Sequence, residues 1–130
     1  MTAAGQLLIG MDLVEIERIA RALDRWGGRF LDRIFVAEEI DRRRIHPAAL
    51  AQHVAGRFAA KEAAMKALGT GWRGVAFRDI CVGRERSGKP RLDFGGRARL
   101  RAEALHVRQA EVTITHTAAT AAAFVALVCG

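Results

Sequence analysis

Tyrosine is absent from this chain of 130 residues, proline and cysteine each occur twice, and aromatic residues of all kinds make up 6%. So few aromatics leave little on which nucleobases could stack, and no helix-turn-helix or zinc-finger pattern is legible, so nucleic acid is not an expected partner. Cys81 and Cys129 stand alone among apolar residues and read as two buried structural thiols rather than a disulfide or a metal pair. His46, His53 and His106 have no metal-ligand spacing and read as surface or structural residues. The longest apolar stretch, Ala118 to Val128, falls short of the ~18 to 20 residues that span a bilayer. Met1 to Met11 lacks the basic start of a secretory leader. The expected setting is soluble and cytoplasmic, without membrane contact.

What is present is a globular composition, 51% hydrophobic and 27% charged, of a length suited to one domain over 1–130. The net charge of +7 is carried by 18 arginines and only three lysines, spread along the chain. Such a field favours polyanions: nucleic acid, a phosphorylated small molecule or an acidic protein.

Leu7 to Val14 reads as a buried strand that turns polar at Asp12 and leads into a helix whose Ile16, Ile19, Ala20 and Leu23 share one face. Arg18, Arg21 and Arg25 fall opposite, and Gly27-Gly28 ends the helix. One or two short helices are expected over 30–45, with Glu38 and Glu39 early and Arg42 to Arg44 late. Ala48 to Leu68 is the longest helix, with Val54, Phe58, Met65 and Leu68 as its core stripe and Gly69 as its cap. Strands are expected over Val75 to Val82 and Arg91 to Phe94, a helix over Gly95 to Leu105, and a terminal hairpin of Ala110 to Thr115 with Thr120 to Val128. On its first strand Val112, Ile114 and His116 alternate onto one face. The fold class is α+β, a mainly antiparallel sheet packed on a long helix.

The densest chemistry lies between Arg57 and Gly71, where Lys61, Glu62 and Lys66 precede a Gly69-Thr70-Gly71 turn. A lysine in so arginine-rich a chain invites a chemical explanation, because its compact ammonium does work that a planar guanidinium cannot. Asp12 at a strand end and Glu62 on the long helix, without a cysteine or histidine cluster, suit a hard ion such as Mg²⁺ that shares its shell with phosphate. Lysines supply point charge to phosphate oxygens, and a Gly-Thr-Gly turn lets backbone approach them. The plainer alternative is an ordinary i,i+4 pair of Glu62 with Lys66.

Three separated segments carry a resemblance that decides between these. Ile9-Gly10-Met11-Asp12 through Arg18-Ile19, the Arg57 to Gly71 segment, and Val112 to His116 together resemble the bacterial holo-acyl-carrier-protein synthases, the short class of 4′-phosphopantetheinyl transferases. Phe77-Arg78-Asp79-Ile80 and Gly88-Lys89-Pro90 fit between them in order.

The resemblance implies the 4′-phosphopantetheinyl transferase fold. It also implies transfer of the phosphopantetheine arm of coenzyme A to a serine of apo-acyl carrier protein, releasing adenosine 3′,5′-bisphosphate, for fatty acid or polyketide synthesis. Asp12 and Glu62 match the family's Mg²⁺ ligands, and Lys66 a lysine facing the same phosphates. Arg57, Gly69, Thr70, Gly71, Lys89, Pro90 and His116 match positions lining the nucleotide, Arg57 and His116 near its 3′-phosphate. Thr115 stands in that group where serine is frequent. The lysines Lys61, Lys66 and Lys89 are thereby all assigned to one site. Glu62 or Asp12 takes the serine proton. Arg18 matches the arginine that meets the acidic helix of the carrier protein, and a basic enzyme is steered to an acidic partner. Members are typically homotrimers with sites between subunits. The chain departs from the pattern in lacking a glutamate at the end of its last strand and in carrying Arg42 to Arg44 slightly early.

Overall fold

The computed structural model describes residues 5–130; residues 1–4, part of the segment read as lacking a leader, lie outside it. Strand β1 (Leu7–Glu15) passes without a loop into α1 (Ile16–Trp26), the Ile16 N–H donating to Ala119 O at 2.9 Å. Gly27, at φ 52°, closes α1 and opens α2 (Gly28–Ile34). A tight turn over Ala37–Glu39 follows, and then α3 (Pro47–Leu68). Its N-terminus uses a proline in the first turn and His46 Nδ1 as acceptor for the Ala48 N–H at 3.1 Å. Its C-terminus ends on Gly69 at φ 74°, the left-handed conformation that glycine adopts without strain.

The chain continues through α4 (Gly71–Gly74), β2 (Ile80–Arg84), β3 (Pro90–Phe94), α5 (Gly96–Ala104), β4 (Val107–His116) and β5 (Thr120–Cys129). All strand pairings are antiparallel, in one sheet ordered β1-β5-β4 and a separate β2-β3 pair. Helix α3 packs on the inner face of the larger sheet. Register assigns the side chains: Asp12, Ala123 and Ile114 form one inward row, and Val14, Ala121 and His116 the next.

The expected stripe on α3 is present in Val54, Met65 and Leu68, but burial extends almost around the helix. Small residues make that possible, since Ala55, Ala59, Ala60, Ala63 and Ala64 have no exposed surface and let neighbouring backbones come close. Gly10 is the extreme case. A methyl there would land on the Ala63 carbonyl oxygen and 2.7 Å from Ala67 N, so β1 lies against α3 at that point only because residue 10 is glycine.

Two expectations change. The strand expected over Val75 to Val82 starts only at Ile80, because Phe77–Asp79 forms a tight turn in which Asp79 Oδ2 accepts the Ala76 N–H at 3.2 Å. Phe77 stacks on Phe58 with centroids 5.4 Å apart. The Phe77 carbonyl accepts from Lys61 Nζ at 3.0 Å. Lys61 itself is the second change: it is fully buried, donating also to Ile34 O and Glu39 Oε1, each at 2.8 Å, beside the Phe35 ring. It joins α3 to segments on either side and takes no part in an open site.

Candidate functional site

Asp12 and Glu62 come together where β1 crosses α3. The alternation of β1 turns Asp12 inward, and the close approach at Gly10 carries it to the helix. Lys66 Nζ donates to Asp12 Oδ1 at 3.1 Å and to Met11 O at 3.0 Å. The Glu62 carboxyl is raised above the usual carboxylate range, first by burial and then by the charge of Asp12, while Lys66 and Arg18 pull it back. Two carboxylates thus share one corner with one ammonium, and Arg18 of α1 is close enough to be felt there. The plain Glu62–Lys66 pair is not what forms, since Lys66 binds Asp12 instead.

The Gly69-Thr70-Gly71 turn begins one helical turn beyond Lys66, whose carbonyl accepts the Gly69 N–H at 3.1 Å. Gly71 sits at φ 60° over open space. The Thr70 hydroxyl is buried without a hydrogen-bond partner among the described residues. Asp12, Glu62 and Lys66 form one acidic corner, with the glycine turn starting just beyond it along α3.

A second cluster lies nearer the start of α3. A cavity of about 340 Å³ is walled by Gln52, His53 and Arg57, with His116 from β4 and Arg84 and Pro90 from β2 and β3. His116 Nδ1 is 2.9 Å from Gln52 Nε2, and Gly56 leaves room beside Ile114, whose Cγ2 would be 2.8 Å from an added methyl. Arg57 is 6% exposed, and its Nε has no hydrogen-bond partner among the described residues. Burial, then Arg84, lowers its guanidinium to about 10. His53, held down to about 4 by burial and by the two arginines, is neutral and 3.4 Å from Arg57 Nη1.

The remaining candidates are placed elsewhere within one chain. Lys89, on the β2-β3 turn, reaches Glu111 Oε1 at 2.6 Å, which holds the ammonium charged and the carboxyl deprotonated, and its side chain is not on the cavity wall. Thr115 falls on the outer face of the sheet, in the row of Leu13 and Ala122, opposite to His116. Sequence reasoning passed over Gln52 and Arg84 and read His53 as surface or structural. The spacing of His53 to Arg57, one helical turn, was a usable signal. Arg84 sits between motifs and had none.

A family model described as the 4′-phosphopantetheinyl transferase superfamily matches residues 8–124. A holo-[acyl-carrier-protein] synthase of Koribacter versatilis is 47% identical over 119 residues, 91% of this chain and 94% of that one. The crystal structure of holo-[acyl-carrier-protein] synthase from Neisseria meningitidis superposes with a TM-score of 0.82 at 35% identity, covering 92% of this chain and 96% of the other. The Bacillus anthracis holo-(acyl-carrier-protein) synthase, solved in complex with CoA (3′,5′-ADP), gives a TM-score of 0.77 at 34% identity over 95% of this chain and 96% of that one. With this cover at both the sequence and the fold level, the chain belongs to the 4′-phosphopantetheinyl transferase superfamily, among its holo-[acyl-carrier-protein] synthases.

Proposed function

We propose that this chain transfers the 4′-phosphopantetheine group of coenzyme A to a serine of an acidic apo-acyl carrier protein, with Mg²⁺ held by Asp12 and Glu62. The observation that carries the reading is the convergence of these carboxylates with Lys66 at one open corner. Their donor set fits the ion: two hard oxygen ligands, with no third acid, histidine or cysteine grouped among the described residues, leave positions for phosphate oxygens and water. When bound, Mg²⁺ neutralises charge on the diphosphate oxygens.

Glu62 is the base of choice, because Asp12 is already committed to Lys66 while Glu62 forms no ion pair among the described residues. It takes the serine proton as the serine oxygen bonds to the pantetheine phosphorus. The bond from that phosphorus to the bridging oxygen breaks, and adenosine 3′,5′-bisphosphate leaves. Lys66 holds Asp12 in place and faces the same oxygens. The turn at Gly69 to Gly71 and the cavity of Arg57, Pro90 and His116 hold the nucleotide. Arg18, at the rim beside Glu62, meets the acidic carrier, whose role lies in fatty acid or polyketide synthesis.

The assembly is a homotrimer with shared sites. Arg57 and Glu62 are five positions apart, which sets their side chains about 140° apart around α3. The two clusters of one chain therefore look in different directions, and a neighbouring copy brings complementary halves together. The outer face of β1 supports this, for Leu7, Ile9, Met11 and Leu13 are all more than half exposed and Phe124 flanks them. No helix among the described residues is long and apolar enough to cross a membrane.

Incubation with coenzyme A, Mg²⁺ and an apo-carrier protein is expected to add one phosphopantetheine, about 340 Da, to the carrier, and to fail with Glu62→Gln or with metal removed by chelator. No gain of mass over several acidic carriers would overturn the reading.

A further inference from the structure

Helix α5 carries none of the matched motifs, yet one of its side chains closes the end of α3. Its N-terminus is bound to the 76–79 turn: the Gly95 N–H donates to Asp79 O at 2.8 Å, and a methyl on Gly96, at φ 50°, would stand 2.6 Å from Asp79 Oδ1. Ala98 and Ala102, four apart, are the buried face of α5, and Arg101, three positions after Ala98, borders that face. From there Arg101 Nε donates to Leu68 O at 2.9 Å, across 33 residues of chain.

The last carbonyls of a helix have no partner within it, so each needs one from outside. Two at the end of α3 are met by the turn itself: the Gly69 N–H donates to Lys66 O at 3.1 Å and the Thr70 N–H to Met65 O at 3.2 Å, the pairing that a left-handed glycine allows. Leu68 O is met by Arg101. That carbonyl and the Gly69 N–H belong to one planar peptide unit, so the unit is held at both ends and enters Gly69 in a fixed orientation. Glycine has no side chain to restrict it, so at φ 74° such outside bonds define the shape of the turn. Arg101 Nη2 is 3.6 Å from where a Cβ on Gly69 would be, which lays the guanidinium against the turn. A cation there also complements the negative end of the α3 dipole.

We propose that Arg101 is a positioning residue for the transfer reaction: by holding the Leu68–Gly69 peptide it presets the Gly69-Thr70-Gly71 turn, just beyond Lys66, for the nucleotide. This rests on the coenzyme A reading and adds to it a residue of α5, outside every matched motif. A preset turn costs less to order when the ligand arrives, so the effect falls on coenzyme A binding and not on the chemical step.

Steady-state transfer by the full-length protein, varying coenzyme A and the carrier protein in turn, tests this. Arg101→Met keeps the length of the side chain and removes its donor and charge. It is expected to raise the KM for coenzyme A about 10-fold, with kcat within about 2-fold and the KM for the carrier unchanged. Arg101→Lys is expected between, because an ammonium keeps the charge at the helix end and loses the fork. The control is Arg99→Met on the solvent side of α5, where Arg99 pairs with Glu103 at 3.8 Å; it removes the same charge and is expected to behave as wild type. A purely structural role would lower the active fraction, so a fall in kcat at unchanged KM would overturn the proposal. So would unchanged kinetics, or an equal rise in KM for Arg99→Met. Should Arg101→Met not fold, Arg101→Lys is judged by the same split, with a smaller rise. A wild type that transfers nothing to several acidic carriers would overturn the coenzyme A reading, and this inference with it.

Discussion

Helix α3 carries two lysine–carboxylate pairs five residues apart, and they do opposite things. Lys61 meets Glu39 at 2.8 Å with side-chain exposures of 0% and 3%, whereas Lys66 meets Asp12 at 3.1 Å with exposures of 58% and 11%. The first pair is closed: Lys61 donates to three acceptors, and Glu39 takes two backbone N–H groups besides. The second is open, with Glu62 next to it and no further cation hydrogen-bonded to that carboxylate. A closed polar cluster rigidifies a core, while an open one with surplus acid is equipped to receive a cation and phosphate.

The largest effect expected from breaking this comparison is at the closed pair. Lys61→Ala leaves Glu39 buried without its cation and is expected to destabilise the fold by about 3 to 5 kcal/mol, read by chemical denaturation. Loss of activity in that variant should follow its unfolded fraction. At the open pair the pattern reverses. Glu62→Gln is expected to cut phosphopantetheine transfer by roughly 10³-fold or more, with no fall in the melting temperature of the metal-free protein, because it removes a charge that Asp12 opposes. A large stability loss in Glu62→Gln would erase the difference between the closed and the open pair. Lys66→Ala lies between: transfer falls about 10- to 100-fold while stability changes by less than about 1 kcal/mol, as for a half-exposed ion pair.

The basic cavity adds a smaller, pH-dependent effect. His53 has a folded pKa near 4 against an ordinary 6.5. Between those values the unfolded chain binds a proton that the folded one refuses, so stability is fully present above about pH 6.5 and declines as pH falls toward 4. Thermal melts of the wild type and His53→Gln over this window should converge at acid pH if the wild type starts out more stable. A parallel pair of curves would remove His53 from the cavity's electrostatics.

Much of the fold was legible in local pattern. The β1-to-α1 passage, the long helix with its glycine cap and the terminal hairpin all lie within a residue or a few of where periodicity and turn residues place them. The segment over 75–82 misled because its apolar, β-branched composition favours a strand, while the Asp79 turn and the Phe77 contacts with Phe58 and Lys61 hold its first half in another shape. At the site, Asp12, Glu62 and Lys66 were readable as a group, yet their partners were not: Lys66 binds an acid 54 residues away and leaves the one four positions before it.

Sequence alone determined the residue types and the two periodicities, hence which positions share a face of a helix or strand, and through three ordered motifs it determined the family. Tertiary structure decided what those positions face. Lys61 became core because Glu39, 22 residues away, and two carbonyls converge on it. Thr115 and His116 parted because neighbouring strand residues point to opposite sides of the sheet. Arg57 and Arg84, 27 positions apart, line one cavity because α3 packs against β2. Such pairings depend on distance through space, and a charge or hydrogen bond formed across many residues of chain leaves no local signal in the sequence that makes it.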